Sequence, residues 1–509
     1  MGWSSSLKKG NMAAIITNKF RINNSQQFVE SFSEAVPNVY YLTIGKPLSW
    51  GTYTRGDLRT DNSGSDTSPV LPADNVQEEL YSFDEFLAAK KISAGDVDFV
   101  IPRRNWTSGT IYDYYRHDYG SRITGTTTTQ TAYSGASNLF DSTFYVMTSN
   151  FNVYKCLDNN SNVPSTDVPT GTLNTVFSTS DGYKWKYMYT LSATQQANFL
   201  STDFMGVSTN NTVSGAATNG AINVVKIKSA GTGYTIASSA STGTISAIPI
   251  RGDGTGGTIS ISIVGGSITS VTVTNIGSGY TFAYIRNADI LTGTNSGNTG
   301  SGAELDAIIE PKGGHGFNAI KELGGFFVML NVSLEGTESA NSGDFTTAND
   351  FRTIGILRDP FSNGSAASAS TLRATKAIRF ASSPAPGTFQ VDEKITQATT
   401  GAVGRVIEWD SVNRILHYVQ TRFNDGGINT SGNLVSFSAG NVVTGATSSA
   451  TGTPDSSTAS ATADSIVFLN GYANSELDAD IGDLLYLEHR APITRASDQT
   501  ENVKLIIEF

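Results

Sequence analysis

Cysteine occurs once in this chain, at Cys156. One thiol excludes an internal disulfide framework and a zinc site built from cysteines. Charge is also scarce: Asp, Glu, Lys and Arg make up 16% of the residues, against roughly 25% in an average globular chain. The formal charge of −11 leaves no basic surplus to displace phosphate counterions, so nucleic acid is not an expected partner. No run approaches the roughly 18 apolar residues that cross a bilayer, so a membrane partner is not expected either. The opening "MGWSSSLKKG" has no apolar stretch ahead of a cleavage site and does not read as a secretion signal.

The chemistry-bearing residues are equally sparse. The four histidines, His117, His315, His417 and His489, fall one per segment. None is paired at i, i+4 or i, i+2, which leaves a histidine metal site without local support and reads as surface or capping residues. Cys156 lies mid-strand in "VYKCLD", where a thiol packs. "GDGTGG" (252–257) lacks the Lys-Ser/Thr of a phosphate loop and reads as a turn, and "GGHG" (313–316) reads as flexible backbone. The Arg-Gly-Asp triplets at Arg55–Asp57 and Arg251–Asp253 sit in turn-like company. Glu322, Glu335, Asp350 and Glu408 could each belong to a glycosidase acid pair, and nothing ranks one above another. No cofactor, metal or small-molecule site emerges.

What the chain has in quantity is glycine, 51 residues, together with Ser, Thr and Asn, which favour turns and strands. The fold class expected is mainly β, and 509 residues exceed one hydrophobic core. "AAIITNKF", "NVYYLTIGK", "VDFVIP" and "STFYVMTS" read as strands. "GYKWKYMYTL" should place Tyr183, Trp185, Tyr187 and Tyr189 on one face. Two helices are expected, over 24–33 with Asn24 and Gln27 in capping-box spacing, and over 74–91 with Asp74 as cap and Lys90 and Lys91 at the C-terminal dipole. The unit "VKIKSAGTGYT" (225–235) recurs as "VTVTNIGSGYT" (271–281), a duplication in which the glycines permit positive φ and the tyrosine covers bare backbone. After Pro360 a three-strand meander follows, with turns at Thr399–Gly401 and Asp410–Asn413, then a low-complexity stretch. Val503, Leu505, Ile507 and Phe509 alternate as a closing strand, expected to lie in the interior of the core.

Six blocks in order, "AAIITNKFR", "VIPRRNW", "VYKCLD", "DGYKWKYMYTL", "NDFRTIGILRDP" and "LEHRAPITRASDQTENVKLIIEF", resemble the baseplate wedge subunit, gene product eight, of T-even-like contractile-tailed bacteriophages. The resemblance implies a layered β-sandwich with helix-bearing loops. It further implies a homodimer that joins other baseplate wedge proteins in the virion tail, moves when the baseplate rearranges on host attachment, and catalyses nothing. Synthesis in a host cytoplasm follows. Two small β modules are extra relative to the shorter T-even member; the second is similar to modules in other tail proteins of phages infecting marine cyanobacteria, which makes such a phage the expected source. The expected division is an extension at 1–11, core at 12–205, 306–360 and 465–509, a Gly-rich insert at 206–305 and a second insert at 361–464. Arg103 and Arg104 are the candidate interface residues, with capping of their own core's carbonyls as the alternative. A host-glycan-binding protein using the repeated Gly-x-Gly-Tyr aromatics, or a tail-borne glycan hydrolase, are the other readings.

Overall fold

The computed structural model describes residues 15–34, 38–51, 54–55, 59–60, 64–123, 126–335, 346–421, 427–456, 460–496 and 499–509. The 1–11 extension and the Arg55–Asp57 triplet's Asp57 lie outside them. The fold is mainly β, in antiparallel sheets joined by short helices. The chain divides into two compact units, one of residues 1–27, 98–329 and 506–509, the other of 28–97 and 330–505.

In the first unit a four-stranded sheet runs in the order Tyr145–Met147, Asn152–Asp158, Lys184–Thr190, Val176–Ser178. Both its faces are covered. Leu157, Met188 and Tyr189 enter one apolar cluster with Ile101, Met205 and Ile308, while Tyr154, Cys156, Tyr183, Trp185 and Tyr187 enter another with Tyr112 and Val213. The four aromatics of "GYKWKYMYTL" therefore do not share a face. Tyr154 pairs with Tyr187 and Val153 with Tyr189, which leaves Met188 as an extra residue. A bulge of this kind resets the alternation and sends Tyr189 to the opposite side.

The Gly-rich region 224–308 builds its own core around Ile245, Ile259, Ile261, Tyr234 and Tyr280. Its strands are Val224–Thr232 paired with Ser301–Ile308, and Gly243–Pro249, Thr258–Val264 and Ser267–Asn275 in order. The duplication is three-dimensional. Tyr234 N donates to Gly266 O and Tyr280 N to Gly220 O, both at 3.0 Å. A Cβ on Gly231 would stand 2.6 Å from Ala303 N and Ser301 O, and one on Gly277 would stand 2.6 Å from Gly257 N and Thr255 O. The Tyr234 ring lies on Gly300 and the Tyr280 ring on Gly254, each 2.4 Å from where a Cβ would be. Each tyrosine also lies over a glycine of its own turn, Tyr234 at 2.7 Å from where a Cβ on Gly231 would be and Tyr280 at 2.8 Å from one on Gly277, so each ring joins its own turn to a glycine distant in the chain.

In the second unit a five-stranded sheet has the order Thr371–Arg373, Phe86–Ile92, Tyr40–Gly45, Phe351–Arg358, Asp483–Ile493. A nine-stranded sheet is built entirely from strands between Lys376 and Ala473. It contains the expected meander, Lys394–Gln397, Ala402–Asp410 and Ile415–Val419, with Gly401 at φ 79° and Asp410 accepting from Val412 N and Asn413 N in the turns.

Three local expectations are corrected. The 74–91 helix stops early: Val76–Glu85 is helical, capped by Asn75 rather than Asp74, and Phe86–Ile92 is a strand. Lys90 and Lys91 therefore face strand partners and not a helix end, because pairing with Tyr40–Gly45 on one side and Thr371–Arg373 on the other outweighs helix propensity. The first helix spans Asn18–Glu30, so "AAIITNKF" turns helical at Asn18. The Thr17 hydroxyl accepts from Phe20 N, which places the cap seven residues before Asn24. Finally, the closing strand Thr500–Glu508 is not interior. It ends the order Phe204–Gly206, Val97–Pro102, Phe327–Glu335, Thr500–Glu508, an edge among the described residues. Its end is nonetheless tied down. Phe509 N donates to Phe326 O, and Arg21, lying over the Phe326 ring, donates to the Phe509 oxygen and to the Glu508 carboxylate.

Candidate functional site

Arg103 and Arg104 follow the Val97–Pro102 strand and are half-buried. Arg103 donates to Ser201 O at 2.8 Å and to the Asn105 side chain at 3.1 Å. Arg104 donates to Ser142 O and Phe140 O and lies over the Tyr145 ring at 4.5 Å. The guanidiniums thus secure carbonyls of their own unit, the arrangement that the carbonyl-capping alternative describes.

A buried concentration of ionisable groups was not singled out by sequence reasoning. It lies inside the first unit, around Lys155. That lysine sits in the strand Asn152–Asp158, whose residues 153–157 are all buried, so its ammonium has no route to water. Its cross-strand partner is Lys186, also buried. Two like charges side by side destabilise a sheet unless acids answer them. Glu310 and Glu322 do so. Lys155 Nζ lies 2.8 Å from Glu322 Oε2 and donates at 2.7 Å to His315 Nδ1, which puts the imidazole proton on Nε2. Glu322 also accepts from Gly316 N at 2.9 Å and Asn318 N at 3.1 Å. Glu310 accepts from His315 N at 2.9 Å and from the Asn223 amide. The Tyr115 ring closes the cluster, 4.2 Å from the ammonium and edge-on to His315.

Burial dominates the electrostatics. It pushes the Glu310 carboxyl up to about 7 and lowers the Lys155 and Lys186 ammonium groups. It also holds His315 well below its ordinary range, so the imidazole is neutral. The Lys155 ammonium occupies the position between His315 and Glu322 that a metal ion would need. Among the described residues no group of three or more His, Cys, Asp or Glu is arranged to hold one. Every partner is pre-bonded within the fold, so the arrangement pins strand Asn152–Asp158 to the 310–323 segment.

The loop reading of "GGHG" is half right: Gly313, Gly314 and Gly316 all take φ between 90° and 96°. What that turn does is aim a buried His315, 5% exposed, contrary to the surface reading of the histidines. A usable signal was present in "VYKCLD", where Lys155 shares the buried stretch with Tyr154 and Cys156. Cys156 is buried with its thiol pushed well up by burial, as packing predicts. The four candidate acids do not converge. Glu322 serves Lys155, Asp350 faces Arg352 at 3.4 Å, Glu335 ends a strand in an exposed position, and Glu408 lies in the meander with its carboxyl raised by burial. The repeated tyrosines are no glycan platform either, since Tyr234 and Tyr280 are buried. In the second Arg-Gly-Asp triplet Arg251 is bound by Asp289, and Asp253 accepts from the Thr281 and Phe282 amides.

No helix among the described residues is long and apolar enough to cross a membrane. No curated protein matches the chain. Residues 14–172, about a third of its length, match the family described as Bacteriophage T4, Gp8, and over that stretch the chain is similar to this phage family.

Proposed function

We propose that the chain is a structural subunit of a phage tail baseplate wedge, located in the virion. The observation that carries this reading is the family match over residues 14–172. The physical character of the interior is in keeping with it: the buried ionisable groups around Lys155 are bonded to one another, as suits a structural element. In this reading the subunit forms a homodimer through a self-complementary patch, joins other wedge proteins, moves as a rigid body when the baseplate rearranges, and turns over no small molecule. Neither nucleic acid nor membrane is among its partners. The inserts decorate this core, and Arg103 and Arg104 contribute to a contact between subunits in addition to capping their own carbonyls.

Sedimentation equilibrium of the purified chain should report twice its 53.9 kDa, and the chain should be found in purified tails. A monomer at micromolar concentration that is also absent from particles defeats the proposal. Arg103→Ala with unchanged assembly removes the interface role while leaving the remainder standing.

A further inference from the structure

The two oxygens of Glu322 are held differently. Oε1 accepts from Gly316 N at 2.9 Å and from Asn318 N at 3.1 Å. Oε2 lies 2.8 Å from Lys155 Nζ and takes a longer share of the Gly316 donor, at 3.0 Å. The same nitrogen donates to His315 Nδ1 at 2.7 Å. Solvent is shut out: the Lys155 side chain is fully buried, that of Glu322 is 3% exposed, and the Tyr115 ring lies 4.2 Å from the nitrogen.

An ordinary buried ion pair has none of this apparatus. Here a nucleophilic nitrogen, a base bonded to it, a carboxyl carbon and two backbone donors on one carboxyl oxygen stand together in a dry site, and these are the parts of an acyl-transfer centre. We infer that Lys155 and Glu322 condense into an intramolecular amide, the Nζ–Cδ bond forming and Glu322 Oε2 leaving as water. The ammonium first passes one proton to Oε2, giving a free amine and a neutral carboxyl. The amine attacks Cδ while His315 Nδ1 takes its second proton, and charge collects on Oε1 between the amides of Gly316 and Asn318. The imidazole then returns that proton to the departing Oε2 hydroxyl. One water leaves, one hydrogen stays on the amide nitrogen, and the net charge of the cluster is unchanged.

Burial favours each stage. It lowers the Lys155 ammonium, which promotes the free amine, and it keeps His315 neutral and able to accept. Condensation erases one positive and one negative charge from the interior and leaves Lys186 with Glu310 as its counter-charge. Reactants fixed in contact have effective molarities on the order of 10^5 M or more, which favours an amide that dilute acid and amine do not form. The bond closes a covalent ring over residues 155–322 that contains the Gly-rich region 224–308, and it needs nothing from the baseplate reading. A chain that has not yet closed it unfolds as the ion pair alone dictates.

The test is the intact mass of the denatured full-length protein, followed by tryptic mapping. With allowance for the initiator methionine, the mass should fall one water short of that encoded by the sequence. The map should show Lys155 uncleaved and joined to the peptide that carries Glu322. Lys155→Met and Glu322→Met should each restore the encoded mass, with circular dichroism as a folding check. His315→Phe should slow the bond's appearance after synthesis by about a hundred-fold. A wild-type chain at its full encoded mass overturns the inference, whether or not any variant folds. A missing water that maps to another pair of residues overturns it too, as does a bond that forms equally fast without the imidazole.

Discussion

Replacing Lys155 by methionine keeps the length and volume of the side chain and removes only the charge and its hydrogen bonds. The loss comprises the 2.8 Å ion pair with Glu322, the 2.7 Å bond to His315 and the cation over the Tyr115 ring. Glu310 and Glu322, with side chains 2% and 3% exposed, would then share a dry site without the ammonium that bonds Glu322, leaving them only the field of Lys186. Removing one partner of a buried pair costs about 3 to 5 kcal/mol. Glu322 keeps its two amide donors, Gly316 N and Asn318 N, which places the expected loss near the lower end, about 3 kcal/mol. The unit is large, so this corresponds to a fall in unfolding midpoint of roughly 6 to 12 °C. Adding Glu322→Gln to Lys155→Met should restore part of the loss, because the stranded charge disappears. A double-mutant cycle should give a coupling of about 2 kcal/mol. Urea unfolding followed by tryptophan fluorescence supplies the energies, with Trp185 reporting from the same sheet. A Lys155→Met cost below about 1 kcal/mol, typical of exposed pairs, would refute the claim that the cluster is dry and self-paired.

The same cluster sets a pH dependence. Glu310 rises from 4.5 to about 7 on folding, so the folded chain holds a proton that the unfolded chain releases. Stability should therefore fall as pH climbs through that window, by about 3 kcal/mol, and Glu310→Gln should flatten the slope measured by urea unfolding between pH 5 and 7.5. In the insert, Gly300→Ala would drive a Cβ into the Tyr234 ring at a backbone φ of 109°, and should destabilise by about 2 to 4 kcal/mol. Hydrogen exchange should show Val224–Thr232 and Ser301–Ile308 loosening together, since the Tyr234 ring lies over both Gly231 and Gly300 and the two strands are paired; loosening confined to one of them would contradict that role of the ring.

Elements whose signal is local were legible in the sequence. The meander could be read because Gly401 and Asp410 dictate its turns whatever surrounds them. The Gly-x-Gly-Tyr turns were legible for the same reason, down to the tyrosine lying over bare backbone. Phe86–Ile92 was not, because alanine, leucine and lysine favour a helix and only two flanking strands make the stretch extended. The Lys155 cluster was missed because its members come from two places far apart in the chain, Lys155 from one strand and Glu310, His315 and Glu322 from the 310–323 segment, and each is ordinary in its own neighbourhood.

Composition and turn chemistry thus determined a mainly β chain with a duplicated glycine-rich segment, since turn preferences act over a few residues and survive in any context. Tertiary structure alone decided which strand lies at an edge, which distant glycine each tyrosine covers, and which acids answer the two buried lysines. Those outcomes depend on groups far apart in sequence meeting in a space without water, where a charge must find a partner and a glycine's missing side chain becomes a place to pack.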